Sequence, residues 1–422
     1  MSDRTLKSVQ IASLLVSTSC GTGFLLGTGE LALHGGMSGC LYAIASALGL
    51  IALAACSRGL SITGQSIWTR LDQIYGTSVG RAVALLSLVW MTGVLAAQIR
   101  GGAAILTLAG GISPTSALLL VDGLLICLST LRLSLLAAGF AICMLACNAV
   151  LVRTLFLTHG LDVWLRAPVQ FLHGLQGARV DHPGITVASV VLMVVCGADY
   201  QQFVLAARTP ATARNGCFLA AGLVFLIGFL PASAVIAASP VWHLQHLTDP
   251  IQVIPVVLIH TLSEYSEKTA WTLVIVVLLT TALGAGCSIL RAMTDATASF
   301  GAHFTSRHIC SRVVPIVLGT IVAVHGQGLI DMMVDLNLVY ISAVGPLVGF
   351  ALLKRRVSDR WANATLAIGG GMAIAAYFAK WTHVTTIPDT NPLTVAFLPL
   401  LLMAVLLWRR TTALQENEAD GN

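Results

Sequence analysis

Two stretches of the sequence combine glycine with small polar residues inside otherwise apolar segments. The first, STSCGTGFLLGTGE (17–30), places hydroxyls, a thiol, glycines and a carboxylate in one segment. The second, MVVCGADYQQF (193–203), repeats the Cys-Gly pair and follows it with Asp199. Glycine lets a helix unwind, and an unwound turn exposes amides and carbonyls that bind an ion or a polar solute. The alternative is that these glycines only allow close helix packing.

Arg100 is a cation near the middle of another apolar segment. A guanidinium at bilayer depth is costly unless it is paired or faces water, so it is a candidate functional residue. Three interpretations are open: an ion pair with Asp122 or Asp199, contact with a carboxylate on a substrate, or a fixed cation that replaces a coupling ion.

Other charged residues have two interpretations each. Asp199 either binds a cation or a proton, or caps a broken half-helix. Glu30 is either an outer gate or an interfacial residue. Arg291 and Asp295 are four residues apart, which favours a pair within one helix, with a cytoplasmic gate as the alternative.

The composition is that of a membrane protein. The 422 residues are 56% hydrophobic and 10% charged, with a mean hydropathy of +0.87, whereas soluble domains are about 25% charged. We therefore expect an all-α polytopic protein in a lipid bilayer, with no nucleic-acid partner. Hydrolase and metalloprotease motifs are missing, so we expect no enzyme and no cofactor. His243 and His246 form a close pair without an obvious third ligand, so no metal centre is expected.

Runs of about 18 or more apolar residues predict about 12 transmembrane helices. Most of the 23 Lys and Arg residues fall on the side of the N-terminus, which predicts that both termini are cytoplasmic. Compact loops favour a bacterial inner membrane. The predicted spans are 8–34, 37–57, 80–108, 115–131, 134–155, 184–205, 214–238, 269–300, 311–325, 330–353, 361–379 and 391–409.

The two Cys-Gly stretches occupy corresponding positions in the first and sixth predicted spans. Five spans run from the first break to just before the second, so the two halves would have opposite topology. Paired interruptions of this kind indicate an inverted repeat with a binding site between its halves. The predicted divisions are 1–155 for the first repeat, 156–183 for an outer loop, 184–353 for the second repeat, 354–410 for two further helices and 411–422 for a tail.

Four segments resemble the sodium:solute symporters, a family of the amino acid-polyamine-organocation superfamily. STSCGTGFLLGTGELALHGGMSG (17–39) is similar to that family's first core helix, and GVLAAQIRGGAAILTLAGG (93–111) to the third. GADYQQFVLAARTPATARNG (197–216) resembles the segment before the seventh helix, and TALGAGCSILRAMTDATASF (281–300) the eighth. The resemblance implies a LeuT-like fold of five plus five helices and alternating-access transport, usually driven by sodium.

The resemblance and the breaks together assign candidate residues to three roles. The family's paired hydroxyls on the eighth helix match Gly284 and Ala285 here, so Na+ and H+ both stay open as coupling ions. The solute-binding candidates are Ser19, Cys20, Gly21, Thr22, Gly23, Gln98, Arg100, Gly197 and Asp199; the ion-binding candidates are Ser17, Cys20, Thr281, Gly284 and Ser288; the gating candidates are Glu30, Arg291 and Asp295.

Two functions fit these features. The leading hypothesis is a secondary active transporter of a small organic solute, with amino acids and carboxylates as candidate classes and Na+ or H+ as the coupling ion. The alternative is a membrane receptor or sensor that keeps a transporter fold and binds solute without coupled flux.

Overall fold

The computed structural model is helical almost throughout. It describes residues 6–63, 65–108, 110–130, 133–177, 183–263, 266–298, 300, 310–325, 328–382, 408 and 412–413. The first nine α-helices are α1 Ser8–Ser19, α2 Thr22–Gly35, α3 Leu41–Thr63, α4 Ile67–Tyr75, α5 Thr77–Leu108, α6 Pro114–Leu128, α7 Leu133–Leu157, α8 Leu161–Leu165 and α9 Ala167–Gly177.

Three 3-10 turns and two short strands accompany the α-helices. The turns occupy Gly36–Cys40, Leu244–His246 and Pro250–Gln252, and the strands β1 Arg355–Arg356 and β2 Thr412–Ala413 pair antiparallel. The α-helices of the second half of the chain are α10 Pro183–Cys196, α11 Ala198–Leu205, α12 Pro210–Gly228, α13 Leu230–Trp242, α14 Val253–Leu262, α15 Glu267–Ala298, α16 Cys310–Val324, α17 Leu329–Leu352 and α18 Asp359–Trp381.

Within the described ranges, seven helices are long and apolar enough to cross a membrane, or eight if the bent pair α10 and α11 counts as one span. Shorter apolar helices, among them α1 and α6, complete several of the predicted spans. The predicted span 391–409 lies outside the described residues, apart from Trp408. Length and apolar composition thus make this a multi-pass membrane protein.

Both predicted breaks are present. The first span is two helices, α1 and α2, because Gly21 adopts an extended backbone with ψ 176° between them. The sixth is α10 and α11, which meet at an angle of 41° because Gly197 is extended with ψ 128°. An extended residue cannot continue the i to i−4 hydrogen-bond ladder, so each span separates into two half-helices.

The long helix α5 lies at the centre of the molecule. It packs against α15, α16 and α17, and also contacts α2. The half-helices surround the same region, because α1 contacts α11, and α15 contacts both α2 and α11. The fold therefore brings both breaks against two long helices.

Candidate functional site

The first break is held open by contacts on both sides of Gly21. The Cys20 amide donates to the carbonyl of Val16 at 2.7 Å and ends α1. Thr22 begins α2, and its hydroxyl donates to the carbonyl of Leu278 on α15 at 3.4 Å. No side chain caps the N-terminus of α2. The first amides of a helix lack intrahelical acceptors, so this half-helix presents backbone donors and a positive dipole end at the break.

The second break is held from within and from α17. The amide of Gln201 donates from its side-chain Nε2 to the carbonyl of Val195 at 2.8 Å and so bridges the two half-helices. The hydroxyl of Tyr340 on α17 donates to the carbonyl of Cys196 at 3.0 Å. Asp199 lies in the first turn of α11, where a carboxylate is favoured by the helix dipole. Hydrogen bonds from Gln201 and Tyr340 thus fix the geometry of the second break.

The two breaks are in contact. The hydroxyl of Ser19 donates to the hydroxyl of Tyr200 through a long hydrogen bond of 3.5 Å, and both residues are buried. Residues that are remote in sequence therefore form one polar cluster at the centre of the helices.

Gln98 on α5 faces the first break. A Cβ built on Gly21 would lie 3.4 Å from its Nε2, and one built on Gly23 would lie 3.1 Å from the same atom. Gln98 is only 3% exposed, and its Oε1 has no hydrogen-bond partner within the part of the chain that the structure describes. A buried unsatisfied acceptor costs about 1–3 kcal/mol, so a group that bound here would recover that energy.

Asp199 is the most deeply buried carboxylate of the cluster. It is 1% exposed, and among the described residues its Oδ1 has no hydrogen-bond partner. A Cβ on Gly197 would lie 2.7 Å from this Oδ1 and 3.2 Å from Cζ2 of Trp90. The carboxylate, the indole ring of Trp90 and the kink therefore share one location, where any residue larger than glycine would clash.

Aromatic side chains that the sequence analysis did not single out line this location. The rings of Trp90 and Tyr340 are 6.1 Å apart, and both side chains are buried. Tyr42 and Tyr200 interact electrostatically with each other and with Asp199. These four aromatics lie on four different helices without a shared motif, so the only sequence signal was their presence in apolar spans.

The face that α15 turns toward the first break differs in detail from the expectation. Ala285, rather than Gly284, faces Gly21, since a Cβ on Gly21 would lie 3.2 Å from the Ala285 Cβ. Gly284 lies against Phe140 of α7. The hydroxyls of Thr281 and Ser288 donate to the carbonyls of Val277 and Ala285 at 2.8 and 2.9 Å. Helical periodicity places Thr281, Ala285 and Ser288 on one face.

Ser17 completes the first break from α1. Its carbonyl oxygen would lie 3.5 Å from a Cβ on Gly21, so it points into the kink. Ser17 and Ala285 thus both approach Gly21, whereas Gly284 lies on another face of α15, against Phe140.

The sequence offered Asp122 and Asp199 as partners of Arg100, and among the described residues the guanidinium does not contribute to the electrostatic environment of either carboxylate. Asp122 accepts a hydrogen bond from the hydroxyl of Thr320 at 2.8 Å. Arg100 instead interacts electrostatically with Glu30. Glu30 also interacts with Asp331 and Asp249. The predicted pairings with Asp122 and Asp199 are thus replaced by a charged cluster where α2 approaches the start of α17.

Arg291 and Asp295 also differ from the favoured expectation. The Nε of Arg291 donates across to the carbonyl of Ser129 at the end of α6, at 3.2 Å. In the described part of the chain, Arg356–Asp359 and Lys380–Asp335 are ion pairs within 4 Å. The guanidinium therefore ties α15 to α6, and Asp295 interacts with it only at longer range.

Contacts between secondary-structure elements close the protein on both sides of the breaks. Toward the Glu30 end, a Cβ on Gly29 would lie 2.5 Å from Cγ1 of Ile254, so α14 packs directly on α2. At the other end, the amide of Leu6 donates to the carbonyl of Ala206 at 3.1 Å, and Leu6 accepts from the amide of Arg208. The polar cluster is therefore enclosed between two sets of contacts.

Comparison with known proteins finds similarity in structure rather than in sequence. No family model matches the chain, and no curated protein matches it. A Na+-coupled sialic acid symporter in a substrate-bound outward-open state matches with a TM-score of 0.72 at 12% identity, covering 97% of this chain and 92% of that one. Mhp1 in its inward-facing conformation matches with a TM-score of 0.62 at 13% identity, over 98% and 93% of the two chains.

A third structure extends the comparison to another conformation. Mhp1, a nucleobase-cation-symport-1 family transporter, in a closed conformation with bromovinylhydantoin bound, matches with a TM-score of 0.57 at 14% identity, over 96% and 93%. Matches that cover nearly all of both chains at such low identity establish the architecture. The protein is a multi-pass membrane protein with the LeuT-like fold of these transporters.

Proposed function

We propose that the protein is a secondary active transporter that moves a small organic solute across the cytoplasmic membrane by alternating access. The observation that carries this proposal is the meeting of the two helix breaks, with Ser19 and Tyr200 in contact and the buried acceptors of Gln98 and Asp199 unsatisfied. A stable scaffold gains nothing from buried unpaired polar atoms. A site that binds and releases a polar solute needs them.

The coupling ion is proposed to be Na+, with H+ as the alternative. The hydroxyls of Thr281 and Ser288 use their protons on carbonyls of their own helix, which leaves oxygen lone pairs free for a cation. Carbonyls of Ser17 and Cys20 at the first break would supply further oxygen ligands. Asp199 would carry the proton if the coupling ion is H+.

The remaining assignments follow from this function. Glu30 and Arg100 would act in the gate on one side, while Arg291, with Asp295 nearby, would act on the other. We place both termini in the cytoplasm and the two repeats at 1–155 and 184–353, joined by the outer loop 156–183, with two further helices in 354–410 and the tail 411–422. A bacterial inner membrane is the proposed location.

A solute receptor is the second candidate, and it is favoured by one observation. In place of the family's paired hydroxyls, α15 presents Ala285 to the first break, which removes ion ligands and could leave binding without coupling.

Transport current and uptake in proteoliposomes separate these functions. Amino acids, other amines, carboxylates and polyols would be tested under an inward Na+ gradient, under a pH gradient and with K+ replacing Na+. We expect uptake that requires one of the two ion gradients. Specific binding without flux in every condition would replace the transporter with the receptor.

A further inference from the structure

We propose that the transported solute carries a protonated amine, and that the carboxylate of Asp199 is its counter-ion at the second break. This inference rests on the proposed function, because it assigns the substrate class to that same site. Of the candidate solute classes, this inference favours amines and excludes carboxylates that lack an amine.

The first argument is that Asp199 faces no protein cation. Within the described ranges, the side chains that interact electrostatically with it include the phenols of Tyr42, Tyr200 and Tyr340. No Lys, Arg or His contributes to its environment there. The carboxylate accepts hydrogen bonds from the backbone amides of Asp199 and Tyr200, but an ionised carboxylate without a counter-charge in a buried site is still unfavourable. A cationic ligand would neutralise it at the moment of binding.

The second argument is the aromatic wall beside the carboxylate. Cζ2 of Trp90 lies 3.2 Å from the position of a Cβ on Gly197, next to Oδ1 of Asp199. The ring of Tyr340 is 6.1 Å from that of Trp90. Aromatic faces attract cations, and the attraction grows when water is excluded. A carboxylate next to aromatic rings suits an ammonium group and disfavours an anion.

The third argument is the type of the unsatisfied side-chain atoms. Gln98 offers Oε1 and Asp199 offers Oδ1 as buried acceptors without a partner among the described residues, and the indole Nε1 of Trp90 is a buried donor without one. An ammonium group carries two or three N–H donors and can satisfy the two acceptors, and the indole N–H is left to donate to another polar atom of the same solute. A carboxylate solute would bring further acceptors and a second negative charge.

The fourth argument concerns the approach to the site. At the end of α2, the carboxylates of Glu30, Asp249 and Asp331 interact as one cluster with the guanidinium of Arg100. Three acidic groups against one basic group give this cluster a net negative charge when all four are ionised. Clefts lined by one sign of charge raise the local concentration of oppositely charged solutes.

The test uses the full-length protein and three sets of probes. Phenethylamine and ethanolamine carry a protonated amine; 3-phenylpropionate and glycolate are anions; 2-phenylethanol and ethylene glycol are neutral. Binding would be measured as the shift in thermal unfolding of the purified protein, and transport as current across proteoliposomes. The variants are Asp199→Asn, Asp199→Glu and Asp122→Asn. Asp122 is a matched control because its carboxylate is also buried, with Oδ1 unpartnered among the described residues, but its Oδ2 accepts from Thr320 away from the breaks.

We expect binding and current from at least one cationic probe and from no anionic or neutral probe. Asp199→Asn should weaken the binding of that amine by more than about 30-fold, since one partner of a buried charge pair is lost. Asp199→Glu should keep the preference for cations, and Asp122→Asn should bind as the wild type does. Unchanged unfolding temperatures without ligand would show that the variants are folded.

Two results would overturn the inference while leaving the transporter intact. One is gradient-driven uptake of anionic or neutral probes only. The other is amine transport that Asp199→Asn leaves unchanged, which would make Asp199 a proton carrier or a helix cap. Absence of both binding and flux for every probe class, in a protein that unfolds cooperatively, would contradict the proposed function as well.

Discussion

Ser19 and Tyr200 join the two helix breaks through a hydroxyl–hydroxyl contact of 3.5 Å. Each belongs to a different half of the chain, and each precedes or follows a glycine that interrupts its helix. Because the contact is long and weak, it can be exchanged for a contact with a solute at little cost. We regard this exchange as the basis of binding at the site.

Replacement of Gln98 by Met should separate function from stability. The buried Oε1 of Gln98 has no described partner, so an apolar side chain of similar size should leave the unfolding temperature unchanged or raise it. Solute affinity should fall by about ten-fold or more, the loss that follows removal of one hydrogen bond of 1.5 kcal/mol. Thermal unfolding and uptake measure the two effects.

Gln201→Met is the matched control for that prediction. Its Nε2 bridges the second break to Val195, so we expect a lower unfolding temperature. If Gln98→Met is the less stable of the two variants and transports normally, Gln98 is structural and its assignment to the site is wrong.

The packing of α14 on α2 depends on the absence of a side chain at Gly29. A Cβ there would lie 2.5 Å from Cγ1 of Ile254 and 2.9 Å from Cγ1 of Val253. We therefore expect Gly29→Ala to displace α14 and to lower the transport rate by several-fold. The rate should recover in part in the double variant Gly29→Ala with Ile254→Ala, which removes the clash with Ile254 and leaves the weaker one with Val253.

Gly222→Ala on α12 controls for the loss of a glycine from a membrane helix. A Cβ at Gly222 would meet no atom within 4 Å, and uptake should stay at the wild-type rate. Wild-type uptake by Gly29→Ala as well would show that the contact between α14 and α2 does not matter for transport.

Asp335 and Lys380 form an ion pair between α17 and α18, with an N–O distance of 2.6 Å. The Asp335 side chain is 3% exposed and that of Lys380 is 30% exposed. Removal of the lysine charge leaves a buried carboxylate unpaired, whereas removal of the carboxylate leaves an ammonium that can reach polar surroundings. Lys380→Met should therefore destabilise the protein more than Asp335→Asn.

The double variant Lys380→Met with Asp335→Asn completes that comparison. It removes both charges, and its unfolding temperature should exceed that of Lys380→Met alone. Additive losses in the double variant would mean that the pair has no energetic coupling.

Sodium dependence tests the face of α15 that meets the first break. Thr281→Ala and Ser288→Ala each remove one proposed oxygen ligand, so each should raise the Na+ concentration for half-maximal uptake by about ten-fold. Thr294→Ala is the control, because Thr294 lies further along α15 and its hydroxyl also donates to its own helix, at the carbonyl of Leu290. An equal effect of all three substitutions would indicate a general loss of helix stability instead of an ion site.

The sequence predicted the architecture because membrane helices and their interruptions leave strong local signals. Apolar runs gave the spans, and the Cys-Gly pairs at 20–21 and 196–197 located both breaks. The orientation of α15 was beyond such reasoning, since hydropathy does not fix how a buried helix is rotated; Ala285 faces the break and Gly284 faces Phe140. The interaction of Arg100 with Glu30 was also missed, because Glu30 is distant in sequence and approaches Arg100 only through packing.

The aromatic side chains of the site carried no usable signal. Trp90, Tyr200 and Tyr340 are ordinary components of a membrane core. Only the fold shows that Trp90 approaches Gly197, that Tyr340 packs beside Trp90 and bonds Cys196, and that Tyr200 bonds Ser19. A polar residue in an apolar segment is conspicuous in a sequence, whereas an aromatic one is not.

The central claim is that the paired breaks form a site that opens to each side of the membrane in turn. Cys20 is a natural reporter for this claim, since it lies at the first break and is fully buried. A variant that retains only Cys20 would be exposed to a membrane-impermeant thiol reagent, in membrane vesicles of both orientations. A variant that retains only Cys40 is the control, because that thiol is equally buried and lies against Met37, away from the break.

We predict that Cys20 reacts from either side, and that imposing or reversing the ion gradient shifts its reactivity from one side to the other while Cys40 stays protected. Reactivity from one side only, unaffected by any gradient in a protein that still takes up solute, would contradict the account.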